Sequence, residues 1–125
     1  MNSAKFKTLR EAIGLSVTDL ATIASVQPRT ARYWESGRNV PPEEVSKSLV
    51  SIDVMLSHSV EQAIKLYQDK NPDEILLYRY VNAEELHKAH PEFKGLPVST
   101  HAAMLYRVSK RFEEMGVPVS IEYKQ

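Results

Sequence analysis

Gly14, the Ser16-Val17-Thr18-Asp19 run, Pro28 and Gly37 cut the start of the chain into three short helical segments, and nothing else constrains its fold as much. The first segment, Ser3 to Ile13, sets Phe6, Leu9, Ala12 and Ile13 on one helical face, with Gly14 suited to the left-handed position that ends a helix. Ser16 with Asp19 has the form of a capping box, in which the Ser oxygen and the carboxylate satisfy N–H groups the helix leaves unpaired. Leu20, Ala21, Ile23 and Ala24 give that second helix its apolar side, and Ala24-Ser25-Val26-Gln27 forms a turn. Pro28 stands near a helix start, where its missing N–H costs nothing, and the third helix runs to about Ser36 before Gly37.

Beyond Arg38-Asn39-Val40-Pro41-Pro42 the pattern lengthens. Val45, Leu49, Ile52, Leu56, Val60, Ala63 and Tyr67 recur every three or four residues, which predicts one long amphipathic helix, or two nearly continuous ones, to about Asp69. Asn71-Pro72-Asp73 stops it. Ile75 to Val81 reads as a strand, Asn82 caps a short helix over Ala83–Ala89, and residues 90–97 form a loop. Ser99 is positioned to cap a further helix that ends at Gly116, and Val117–Tyr123 reads as a last strand. The expected fold is mostly α with a small α+β C-terminal part: a helix-turn-helix bundle, then a two-strand, two-helix element. The expected domains are residues 1–70 and 71–125. Two strands alone are marginal in water, so flanking helices or a second subunit must cover them.

Composition removes several classes. The hydrophobic share of 42% and charged share of 26% are those of a globular chain. No apolar run approaches the roughly 18–20 residues of a membrane span, and the first residues lack the apolar core of a signal peptide. With no cysteine there is no disulfide framework or thiolate metal site. A cytoplasmic location is the simplest expectation. Net charge is zero, yet residues 1–40 carry a balance of +3 and residues 41–125 one of −3. A basic head on an acidic body suits a protein that presents one end to an anion.

A helix-turn-helix needs small or apolar residues where its helices meet, and Ala21, Val26, Ala31 and Trp34 supply them. Ala31 and Trp34, three apart, face inward, so Trp34 reads as core rather than as a base-stacking ring. The opposite side presents Gln27, Pro28, Arg29, Arg32 and Tyr33. Gln can bond adenine in two places and Arg guanine in two places, whereas Pro28 has no side-chain donor. Base reading is therefore assigned to Gln27, Arg29 and Arg32, and backbone contact to Thr18, Pro28, Tyr33, Arg38 and Asn39.

The run Leu9-Arg10, Gly14 to Ala21, Val26-Gln27, Ala31, Trp34 to Arg38 and Pro41 resembles the lambda-repressor-like, Cro/C1-type helix-turn-helix of phage repressors. Tyr33-Trp34-Glu35-Ser36-Gly37-Arg38-Asn39-Val40-Pro41 is similar to a narrower group, the anti-CRISPR-associated repressors and YdiL-like proteins, and Thr100 to Tyr106 is more loosely similar to them. The resemblance implies an N-terminal DNA-binding module, a C-terminal α+β dimerisation part, and repression of the protein's own operon through an inverted repeat. It also implies that Arg10 pairs with Glu35; an exposed pair of that kind contributes about 0–1 kcal/mol.

The expectation is thus a sequence-specific transcriptional regulator that binds a palindromic operator as a homodimer. The alternatives are an antitoxin-type regulator whose C-terminal part binds a partner protein, and an RNA-binding regulator. His87 and His90 have a spacing that could share a metal, but no third ligand supports them, and Glu84-Glu85 and Glu113-Glu114 read as solvated helix faces. His58 and His101 stand alone. Tyr78 and Tyr80, on one face of the first strand, read as core or interface rather than as a nucleic-acid stacking surface. No nucleophile with its base, phosphate loop or metal cluster is present, so neither enzymatic activity nor a cofactor is expected.

Overall fold

A computed structural model describes residues 1–125. It is mostly helical, with six α-helices and a two-stranded parallel sheet: α1 (Ser3–Ala12), α2 (Val17–Ala24), α3 (Pro28–Ser36), α4 (Glu43–Lys70), β1 (Ile75–Arg79), α5 (Ala83–Ala89), a 3-10 turn (Pro91–Phe93), α6 (Val98–Glu114) and β2 (Val119–Tyr123). The chain forms two compact units, Met1–Met55 and Leu56–Gln125. That division falls inside α4, ahead of the break at Asn71-Pro72-Asp73 where the sequence suggests one. The periodicity of α4 is unbroken, so nothing local marks where its packing partners change.

In the first unit α3 packs on both α1 and α2. Phe6, Ile13, Leu20, Ala31 and Leu49 are fully buried, and the Trp34 ring meets Phe6 edge-on with centroids 6.3 Å apart. The first two helices stop by the same device. At the end of α1, Leu15 N–H reaches Arg10 O and Gly14 N–H reaches Glu11 O, both at 3.1 Å, a Schellman motif with Gly14 at φ +75°. Helix α2 repeats it, with Val26 N–H on Ala21 O at 2.9 Å and Ser25 N–H on Thr22 O at 3.2 Å. Here Ser25 takes the left-handed position, φ 57° and ψ 43°, where glycine would be unstrained.

In the second unit the sheet lies against α4 and α6. Val60, Ile64, Ile75, Leu77, Leu105, Val108 and Phe112 form its core, and Tyr67 meets Phe112 edge-on. Strands β1 and β2 run parallel, Ile75 beside Val119 and Arg79 beside Tyr123, so α5 and α6 make the crossover that a parallel pair requires.

Several boundaries differ from the sequence reading, each for a local reason. Helix α6 begins at Val98, not after a Ser99 cap: Thr100 N–H already bonds Pro97 O at 3.1 Å, which places Ser99 inside the first turn. It ends at Glu114, because Gly116 N–H and Val117 N–H return to Glu113 O and Phe112 O in another Schellman motif. Val117 is thereby engaged, and β2 starts at Val119. β1 stops at Arg79; Tyr80 turns its ring onto His90 and His101 instead of continuing the ladder. The Asn82 cap of α5 is present, accepting from Glu85 N–H at 2.9 Å.

Candidate nucleic-acid interface

The helix-turn-helix gains its rigidity from below. Ser16 Oγ accepts from Asp19 N–H at 3.0 Å while Asp19 accepts from Ser16 N–H at 2.9 Å, so the capping box closes in both directions. Pro28 occupies the first turn of α3, and Gln27 caps it through backbone conformation alone, with no side-chain bond. The Gln27 amide is therefore not consumed by the helix it precedes.

Arg10 fastens α1 to α3. Its guanidinium meets Glu35 at 2.5 and 3.0 Å, and its remaining edge donates to Leu15 O at 2.7 Å. The two side chains are only 9% and 8% exposed, so this is a buried, fully hydrogen-bonded pair and not the solvated one considered above. Glu35 is the only acidic residue of α3. With its charge met from behind, the outer face of that helix is left purely cationic.

On that face Arg29 and Arg32 are exposed and enter no ion pair. Gln27 is exposed ahead of them, and Pro28 and Tyr33 are half-buried beside them. By the 100° advance per residue, Pro28, Arg32, Arg29 and Tyr33 share one side, opposite Trp34. The Arg38 guanidinium lies 4.3 Å from the centre of the Tyr33 ring, a cation–π contact that holds the cation against the end of α3. Asn39 N–H bonds Tyr33 O at 3.1 Å, which curls the following loop onto the same end. Gly37 makes that turn at φ +83°, with Ser3 Oγ 3.4 Å from where a Cβ would stand. Thr18 is exposed in the first turn of α2. All eight residues chosen from sequence thus belong to the first unit, six of them exposed and two half-buried.

A second polar cluster escaped the sequence reading. His101 is 2% exposed, enclosed by Phe93 at 5.1 Å, His90 at 5.3 Å and Tyr80 at 5.5 Å between ring centres. Its Nδ1, with Arg79 Nε and Thr100 Oγ1, is buried without a hydrogen-bond partner. Burial pushes its pKa down to about 4, helped by His90 and Arg79 and opposed by Glu92. The signal was spacing: His101 falls in register with Leu105, Val108 and Phe112 on the buried side of α6. His87 is tied to Leu96 O at 2.8 Å, and His90 faces Tyr80 and Glu92, so the two do not share a ligand position.

A helix-turn-helix followed in the chain by a compact α+β unit is compatible with a regulator. The chain belongs to the Aca2/YdiL-like family, whose family model matches residues 1–106, all of the first unit and the second as far as the middle of α6. No curated protein is significantly similar to the chain.

Proposed function

We propose that this protein is a sequence-specific DNA-binding repressor of its own promoter, acting by binding alone, as a homodimer on an inverted repeat. The observation that carries the reading is the outer face of α3: Arg29 and Arg32 exposed and unpaired, while the one carboxylate of the helix is occupied by Arg10. A helix so charged can enter the major groove, with Gln27, Arg29 and Arg32 toward base edges. Thr18, Pro28, Tyr33, Arg38 and Asn39 flank it at the height of the phosphates. A single module reads few base pairs; two modules about 34 Å apart, one DNA turn, read a palindrome. Membership of the Aca2/YdiL-like family supports the regulatory role.

The test is binding to the upstream DNA of the protein's own gene, by footprint and by titration. Arg32→Ala is expected to cost about 1–3 kcal/mol and to relax preference at one base position. Arg38→Ala is expected to weaken all sequences alike and to lower the salt slope of log K by about 1. An unprotected promoter, or two variants indistinguishable from wild type, would overturn the proposal. Titrating the transcript of the same region in parallel separates duplex recognition from messenger binding.

A further inference from the structure

Between α4 and α6, beside β1, lies a groove of about 290 Å³. Ala63, Tyr67, Leu77, Met104 and Val108 give it apolar walls. Tyr80, His90 and His101, whose rings meet one another, close one end, and Val108 stands two helical turns, about 10 Å, further along α6. The closed end gathers buried polar atoms that have no hydrogen-bond partner: His101 Nδ1, Thr100 Oγ1 next to it in the first turn of α6, and Arg79 Nε. Arg79 follows Leu77 on the inward face of β1, and its charge bears on His101. Buried polar groups are nearly always paired, so three unpaired ones at one end of a groove need an account. His101 is 2% exposed and forms part of the groove wall. No side chain caps the N-terminus of the 17-residue α6, so its positive end adds to the field there. Glu92, the carboxylate that also bears on His101, is engaged by His90 Nδ1 at 3.5 Å.

We infer that this groove binds a small apolar acid, with the body of the molecule between α4 and α6 and its carboxylate at the His101 end. The chemistry of that end selects an acceptor. Arg79 Nε can only donate, the Thr100 hydroxyl donates by rotating, and a neutral His101 donates from Nδ1 in one of its two tautomers. A carboxylate, with two oxygens, has acceptors for all three. An ammonium head would leave Arg79 unmet and would face a like charge. Volume sets the body. An apolar cavity of about 150 Å³ holds one benzene ring, so about 290 Å³ suits two fused rings or a ring with a short chain. Tyr67 and Met104 offer such a body a ring and a thioether. Every residue of the site belongs to the second unit, so the inference stands apart from the DNA-binding face.

The test is calorimetric titration of the full-length protein with naphthoate, and with naphthamide as an uncharged match in shape. Wild type is expected to bind one naphthoate per chain, saturably and about tenfold or more tighter than the amide, because the acid makes charge-assisted bonds. Met104→Trp fills the groove and should abolish binding of both. Arg79→Gln should weaken the acid by about tenfold or more and change the amide much less. Binding that does not saturate, equal affinity for acid and amide, or variants that bind as wild type does would overturn the inference while leaving the DNA-binding proposal standing. Should Arg79→Gln not fold, His101→Leu takes its place with the same expectation. Should Met104→Trp not fold, the amide shifts that naphthoate induces in wild type decide: shifts centred on Leu77, His101 and Met104 support the site, and shifts elsewhere overturn it.

Discussion

Acid should weaken this protein through one side chain. His101 is held neutral in the folded state, its pKa pushed down to about 4 by burial first, then by His90 and Arg79, against the opposing pull of Glu92. In the unfolded chain the imidazole titrates near its ordinary value of 6.5. Between those values the unfolded state binds a proton that the folded state refuses, so stability is full above pH 6.5 and falls as the pH drops toward 4. The loss works out at about 1.4 kcal/mol by pH 5.5, about 2.6 kcal/mol by pH 4.5, and roughly 3 kcal/mol at the limit. The measurement is urea unfolding from pH 7.5 to 4.5, comparing wild type with His101→Leu. Circular dichroism in the tyrosine region is the suitable signal, because the single tryptophan, Trp34, lies in the other unit. The variant also removes the orphaned Nδ1, so at pH 7.5 it should be about as stable as wild type. The difference between the two proteins must then grow in the variant's favour as the pH falls. A constant difference across that range, or an imidazole that titrates at 6.5 in the folded protein, would refute the reasoning.

Three further outcomes follow from the first unit. Arg10→Ala should cost about 3–5 kcal/mol, because it strands the Glu35 carboxylate in a buried position, and Trp34 fluorescence in urea reads the loss directly. Ser25→Gly should raise stability by up to about 1 kcal/mol, since the backbone already holds a left-handed conformation there; an unchanged or lower midpoint would count against strain at Ser25. Gly37→Ala should be destabilised by roughly 1–2 kcal/mol for the same reason in reverse, since alanine is strained at φ +83° although the space there accepts a methyl.

The first unit was largely legible because its signals are local. Ser16 with Asp19, Pro28, and the glycines at 14 and 37 act within one turn of where they stand, and each does in the structure what its chemistry implies. Ser25 was the exception, since nothing in its type announces a left-handed backbone; the geometry of the surrounding turn imposes it. The second unit was legible as a sequence of elements but not as an arrangement. Parallel pairing of β1 with β2 depends on how the crossover returns, and the inward aim of His101 depends on what Tyr80 and Phe93 bring from other segments. The Arg10–Glu35 pair lay between these cases: family resemblance supplied the partners, and only the fold disclosed that they are buried and that Leu15 O completes the set.

That arrangement gives Arg10 an unusual genetic signature. A chain altered there would expose or unbalance Glu35 on the very helix proposed to approach phosphates, so it would lose operator binding without Arg10 ever meeting the duplex. In a screen for failed repression such an allele would be grouped with contact residues. It would part from them on cooling, because a folding defect recovers at low temperature and a missing base contact does not. Second-site recovery should appear at position 35, where an uncharged side chain removes the stranded carboxylate, so the two positions can be exchanged together but hardly one at a time.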